Sequence, residues 1–471
     1  MSARILVVAD DPSLQASDRP PDLRRIVVVG CGHVGLVMAA GFAQLGHTVT
    51  GIDKSPELVV ALREDRVPFH EENLRELVSS GVSSGRLSFT TSYQEAVETA
   101  DFIFLAVDTP STPGGAADLR NIRAAAHSIA EAINGGEPII VNKSTSPIGT
   151  GETIEGILRR NLAEAAAVPR IVSNPEFLRQ GHAVHDFFHP DRIVIGAHSS
   201  RDAMAVADLY RDLKAEVVIT GLRTAEMIKY VANSFLATRV SFINEVARLC
   251  DALNVNVDQV LEGLGHDARI GRHFFNPGIG FGGSCLPKDV AALRYMGETL
   301  GVATPVLMAV QQVNHAQRTS AVRALRAALG GLEGKTVAVW GLTFKGDTED
   351  VRESPAMDVV GLLLNEGAVV RPYDPSQPHK LVPERLRETL LDDPIEAARG
   401  ADALAVLTDW TEFRDIPLAQ VREVMRGDVL FDGRNLLRPE EAERSGFRYI
   451  GMGRPRSVRA KVPLAALTAV G

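Results

Sequence analysis

The sequence predicts an α/β protein with two doubly wound domains, joined by a long central helix and a helical middle domain. Three observations carry this expectation. β-Branched runs alternate with helical stretches through the first half of the chain. Residues 224 to 254 contain neither Pro nor Gly. From Lys335 onward a second apolar strand again runs into a glycine turn. Strands that alternate with helices form a parallel sheet covered on both faces.

The elements follow in order. Arg25–Val29 reads as the first strand, residues 36–45 as a helix stopped by Gly46, and Thr48–Ile52 as the second strand, with Asp53 just beyond it. Further strands are expected at 102–107, 139–142, 171–173 and 192–195. In the run 224–254, Met227, Val231, Phe235, Val240, Ile243, Val246 and Leu249 recur at helical spacing. Such a helix is roughly 45 Å long at 1.5 Å per residue. Its apolar stripe exceeds what one flank can cover, which points to a homodimer. Strands at 336–340, 369–373, 403–407 and 429–432 complete the last domain. The expected division is an N-terminal extension (1–23), a first domain (24–219), a helical middle (220–330) and a last domain (331–471). Residues 1–23 carry an apolar stretch too short for a signal sequence and read as a loosely held extension.

Bulk properties narrow the function. The chain has 471 residues, 45% of them hydrophobic and 23% charged, enough for several folded cores. A net charge of -9 argues against a nucleic-acid binder. An anionic ligand must then be held by local Lys and Arg side chains. The three cysteines, Cys31, Cys250 and Cys285, show neither metal-ligand spacing nor a disulfide framework. A reducing cytoplasm suits them. No apolar run approaches the roughly 20 residues of a membrane span.

Gly30-Cys31-Gly32-His33-Val34-Gly35 follows a strand and opens a helix, the setting of a Rossmann-type dinucleotide loop. Gly30 serves the tight turn, Gly32 the approach of the pyrophosphate, and Gly35 the packing of helix on strand. The helix start offers free N–H groups to phosphate. Asp53 sits where an acid bonds the ribose hydroxyls and disfavours a 2′-phosphate, so NAD is expected, with Lys54 weakening that preference slightly. The last domain lacks the second and third glycines: Gly341-Leu342-Thr343-Phe344-Lys345 offers no room for a second dinucleotide, and Lys345 adds a phosphate-seeking charge.

The stretch 280–289, Gly-Phe-Gly-Gly-Ser-Cys-Leu-Pro-Lys-Asp, is the most informative. It predicts a tight turn and then a helix starting just after Ser284. A thiol at a helix start, near Lys288, is expected to be acidified and reactive. Cys31 and Cys250 read as inert packing residues.

With Lys143-Ser144-Thr145-Ser146-Pro147, the segment 174–178, the segment 226–233 (Glu-Met-Ile-Lys-Tyr-Val-Ala-Asn), Val351-Arg352-Glu353-Ser354-Pro355 and Asp432-Gly433-Arg434-Asn435 added, the sequence resembles the UDP-glucose/GDP-mannose dehydrogenases over about residues 24–455. The resemblance implies two Rossmann-like domains, usually a dimer, and a four-electron, NAD-dependent oxidation of sugar carbon six through a thiohemiacetal and a thioester on Cys285. It implies catalytic roles for Cys285, Lys229, Asn233, Asp289, Thr145 and Glu176. Lys229 and Asn233, four apart on one helical face, would donate to a developing oxyanion. Cofactor contacts are implied at His33, Val34, Lys54, Thr109, Thr145, Lys288 and Arg352 beside the glycines and Asp53. Substrate contacts are implied at Glu176, Phe177, Leu178, Lys229, Asn233, Arg269, Phe274, Asn276, Gly282, Phe344, Lys345 and Arg434, with Arg269 reaching across the dimer. Gln180 stands where many members carry a second glutamate, which excludes a general-base role there. The resemblance favours UDP-glucose over GDP-mannose or another UDP-hexose. A silent nucleotide-binding paralogue and a two-electron 3-hydroxyacid dehydrogenase are the competing readings.

Overall fold

The computed structural model describes residues 5–7, 23–161, 169–379 and 381–455. The chain divides into two compact units, Met1–Ala232 and Asn233–Gly471.

The first unit is built on a nine-stranded sheet. Its strands in chain order are β1 (Ile5–Val7), β2 (Arg25–Val29), β3 (Thr48–Ile52), β4 (Leu87–Thr90), β5 (Phe102–Leu105), β6 (Ile139–Asn142), β7 (Arg170–Ser173), β8 (Arg192–Ala197) and β9 (Glu216–Thr220). The spatial order is β1-β9-β8-β7-β6-β5-β2-β3-β4. Every neighbouring pair is parallel except β7 with β8, where Val172 lies opposite Ala197. The sheet is therefore not wholly parallel, as the alternation alone suggested. β5 and β6 are buried along their whole length, as strands covered on both faces must be. Two apolar layers flank the sheet. One gathers Leu36, Met38, Phe42, Phe104 and Phe187; the other gathers Val27, Ile103, Ile122, Ile154 and Leu222. Within the expected extension, Ile5–Val7 add a parallel edge strand, Ile5 opposite Val217. The rest of residues 1–22 lies outside the described residues.

The helix over residues 224–254 is found at Leu222–Leu253, 32 residues without a break. It is the spine of the chain and runs from the first unit into the second. The second unit adds helices Val257–Gly265, Leu286–Thr299 and Pro305–Leu329. A five-stranded sheet follows: β10 (Thr336–Trp340), β11 (Val369–Tyr373), β12 (Ala403–Val406), β13 (Val429–Asp432) and β14 (Arg448–Gly451). Its order is β11-β10-β12-β13-β14, all parallel. The strand order turns back at β2 in one sheet and at β10 in the other, the point where open α/β sheets bind ligands. Among the described residues no helix is long and apolar enough to cross a membrane.

Candidate active site

The cofactor loop behaves as its glycines require. Gly30 has φ +96°, and a Cβ there would lie 2.6 Å from the Ala106 carbonyl oxygen. A Cβ on Gly35 would fall 1.8 Å from the Gly30 oxygen. Gly32, the cap of helix His33–Gln44, has nothing within 4 Å of its Cβ direction. No side chain caps that helix, so its first-turn N–H groups face the open side of Gly32. Val34 is half-buried in the same turn. The Asp53 carboxylate accepts from Cys31 N at 2.9 Å and from Ser55 N at 3.0 Å. A carboxylate has about four lone-pair sites, so capacity for a ribose hydroxyl remains. Lys54 is exposed. Thr109 Oγ1 donates to the Thr145 carbonyl at 2.6 Å, which brings two expected cofactor residues together. An open, uncapped helix start with an acid at the next strand end fits NAD.

Gly32 and Gly35 separate folding from binding. Gly35→Ala is expected to lose about 3 kcal/mol or more, because backbone oxygen cannot move aside. Gly32→Ala, at φ -72° and in open space, is expected to melt like the parent and bind NAD at least tenfold more weakly. Thermal melts and NAD titrations of the two variants check this.

One partner of the loop was missed in the sequence. His33 Nε2 lies 2.6 Å from Glu71 Oε2, and its ring stacks on Phe69 at 4.3 Å. Buried Glu71 also accepts from Gly181 N at 2.8 Å and Ala183 N at 2.7 Å.

The spine helix carries Lys229 against Glu176. The two buried groups meet at 3.0 Å. Glu176 also accepts from Leu178 N at 2.6 Å, and the Phe177 ring receives the Arg192 guanidinium at 3.8 Å and the Lys229 ammonium at 5.2 Å. Burial is the largest influence on the Glu176 carboxyl and opposes its charge, but the Lys229 ammonium and the Leu178 amide outweigh it and hold the pKa below the usual range. Behind them lies Lys143, whose Nζ donates to Asn174 Oδ1 at 3.0 Å and Tyr210 Oη at 3.3 Å. Burial above all pushes Lys143 down to about 7; Glu176 works against this and Lys229 with it.

In the second unit, Cys285 caps helix Leu286–Thr299 and is exposed, whereas Cys31 and Cys250 are buried and burial pushes both thiols up. Asp289 N donates to the Cys285 carbonyl at 2.9 Å, so thiol and carboxylate share a helical face as the spacing predicted. Asp289 is buried and held from two sides, by Asn233 Nδ2 at 2.6 Å and Lys288 Nζ at 2.6 Å. Lys288, expected to serve the thiol and the cofactor, thus spends its charge on Asp289. Arg434 staples three loops: it donates to the carbonyls of Leu407 at 2.9 Å, Gly280 at 2.9 Å and Phe344 at 3.1 Å. A Cβ on Gly282 would lie 2.1 Å from the Glu353 oxygen, and one on Gly283 would strike the Phe344 ring at 2.7 Å. Gly282, Phe344, Lys345 and Arg434 are therefore gathered in one place. At the second glycine turn, Leu342 N and Thr343 N donate to Asp374 Oδ2 at 2.7 and 3.1 Å. The amides a second pyrophosphate would need are taken.

The remaining expected residues lie at the surface. Arg352 is ion-paired with Asp350 at 2.6 Å, and Arg269, 89% exposed, with Asp267 at 2.6 Å. Phe274 and Asn276 are exposed, Phe274 in the left-handed region at φ +59°.

Comparison with known proteins finds three matching stretches. The chain matches the UDP-glucose/GDP-mannose dehydrogenase family in its NAD binding domain (residues 24–214), central domain (223–316) and UDP binding domain (338–439). It is 40% identical over 448 residues to the UDP-glucose 6-dehydrogenase TuaD of Bacillus subtilis strain 168, covering 94% of this chain and 95% of that one. It is 42% identical over 440 residues to the UDP-glucose 6-dehydrogenase of Rhizobium meliloti strain 1021, covering 92% and 100%. The solved UDP-glucose dehydrogenase of Pyrobaculum islandicum superposes with a TM-score of 0.85 at 40% identity, covering 93% and 100%.

Proposed function

This chain belongs to the UDP-glucose/GDP-mannose dehydrogenase family, and from that premise we propose that it oxidises UDP-glucose to UDP-glucuronate in two steps, as a UDP-glucose 6-dehydrogenase. The observation that carries the second step is the exposed Cys285 at a helix start, with buried Asp289 on the same face. An enzyme that stops at the carbonyl needs no thiol there.

NAD, held by Gly30, Gly32, Gly35 and Asp53, supplies the hydride acceptor for each oxidation. The chain's own groups do the rest. Lys229, as an ammonium, and Asn233 donate to the C6 oxygen as negative charge develops on it when the thiol adds. The Cys285 thiolate adds to the aldehyde carbon and makes it tetrahedral, so that a second hydride can leave and a thioester form. Thr145, Glu176 and Asp289 order the water and the protons of hydrolysis. Phe344, Lys345 and Arg434 hold the nucleotide diphosphate, with Phe177, Leu178, Phe274, Asn276 and Gly282 against the sugar nucleotide, and Arg269 contributed by a partner subunit. NADH formation measured with UDP-glucose, GDP-mannose and other UDP-hexoses tests this. UDP-glucose is expected to lead in kcat/KM by at least tenfold; turnover of GDP-mannose without UDP-glucose contradicts it.

The reading also has three domains, 24–219, 220–330 and 331–471, acting as a cytoplasmic homodimer. Met227, Val231, Phe235, Phe242, Leu249 and Leu253 are exposed along one face of the spine helix, and Phe242 is 59% exposed. A stripe of this length on a folded chain calls for a partner. Phe242→Asp is expected to fold and to convert the dimer to monomer in sedimentation; a wild-type oligomer refutes the interface.

A further inference from the structure

Glu226 lies on the spine helix one turn before Lys229 and has no part in the chemistry so far. Its carboxylate accepts from Gly149 N at 2.7 Å and Gly151 N at 2.8 Å, and Ser173 Oγ lies 3.3 Å away. Beside it is a cavity of about 10 Å³ whose wall includes Asn142, Thr145, Ser173, Glu226 and Lys229. Asn142 donates through Nδ2 to Ser146 Oγ at 2.9 Å, while its Oδ1 is buried without a hydrogen-bond partner. A buried amide oxygen left unpaired costs about 1–3 kcal/mol. A polar cavity of this size takes one water, which needs two to four polar partners; Asn142, Glu226 and Lys229 supply them.

We propose that Glu226 is the acceptor for the proton released at Lys229, reached through one water bound at Asn142. The inference rests on Lys229 acting at the C6 oxygen. The water takes a proton from the Lys229 ammonium as it passes one of its own to the Glu226 carboxylate. The resulting amine takes the C6 hydroxyl proton as the C–H electron pair leaves as hydride. Lys229 is again an ammonium, the water is unchanged, and the alcohol's proton sits on Glu226 until solvent takes it. Glu226 is thus a positioning residue that acts through Lys229.

The electrostatics suit this. Burial, with Glu152 adding to it, pushes the Glu226 carboxyl up to about 7, against the pull of the Gly149 and Gly151 amides. The charged groups facing it are Lys229 on its own helix and Glu152 on helix Thr150–Asn161, the latter tied to Arg223 at 2.6 Å. The strands β6 and β7 contribute only uncharged Asn142 and Ser173 to the wall. Above about 7 Glu226 is a carboxylate and can accept; below it, the site is already protonated.

The test is the pH dependence of the first hydride transfer in stopped flow, with the intact enzyme and UDP-glucose. In wild type the rate is expected to fall about tenfold per pH unit below about 7. Glu226→Gln is expected to lose that acid limb and run roughly a hundredfold slower at all pH, with KM for UDP-glucose unchanged. A Glu226→Gln variant that keeps the limb and the rate overturns the relay. An infrared readout is independent of turnover and of that variant's folding. Wild type is expected to show a protonated-carboxyl band that disappears with a midpoint near 7 and moves in Glu226→Asp; a band unmoved by that change overturns the assignment. Failure of the underlying reading looks different: folded Lys229→Met then transfers the first hydride as fast as wild type.

Discussion

Cys285→Ser is expected to lower four-electron turnover by on the order of a thousandfold or more, because the residue that makes the aldehyde carbon tetrahedral is removed as a thiol. Serine's alcohol is a far weaker nucleophile at neutral pH, and an ester at C6 hydrolyses more slowly than a thioester. The fold is not expected to suffer. Cys285 is exposed and caps helix Leu286–Thr299, a position serine favours. The thermal melt therefore stays near the parent while turnover collapses. Rapid quench with mass analysis is expected to find the enzyme stalled after the first oxidation. Full conversion to UDP-glucuronate by this variant would refute the covalent route.

Lys229→Met is expected to damage both stability and chemistry. It removes the 3.0 Å partner of Glu176 inside the first unit. Breaking a buried pair from one side costs about 3–5 kcal/mol, because the other charge stays buried. The pH sign follows from the pair. In wild type the Glu176 pKa is held below the usual carboxylate range, so its contribution is present above that range and is lost as pH falls through the depressed value. In the variant burial is no longer outweighed and the carboxyl rises. The stability deficit is then largest at neutral pH and shrinks on acidification. Adding Glu176→Gln is expected to recover most of the stability but none of the roughly thousandfold loss in kcat/KM. Melts from pH 5 to 8, beside kinetics of the single and double variants, separate the two effects.

How much of this the sequence shows depends on the distance over which each residue works. The glycine loop is legible because each glycine answers a local steric demand, and those demands appear as φ +96° at Gly30 and the 1.8 Å approach at Gly35. Cys285 and Asp289 are legible for the same reason: one helical turn relates them. The spine helix is found within two residues of its expected ends. Long-range partners leave no such trace. Glu71 reaches Gly181 across 110 positions, Lys143 reaches Tyr210 across 67, and Glu226 reaches Gly151 across 75. The sequence placed Lys143 and Glu226 in motifs without a role, although a lysine directly after the apolar strand 139–142 hints at burial. Strand direction was equally hidden. A helix, Ala183–Phe188, lies between β7 and β8 as it would in a parallel crossover, yet β8 returns antiparallel. The strands β4, β9 and β14 lie outside the expected set. Lys288 shows a further limit: proximity in sequence suggested the thiol, but its ammonium lies on Asp289.

The central claim is that one active site carries the sugar through two oxidations. Its most direct measure is the yield of NADH per UDP-glucose consumed, with NAD in excess and sugar limiting. The account predicts about two NADH for each UDP-glucose, with UDP-glucuronate as the product. A yield of about one, with free aldehyde accumulating, would contradict it.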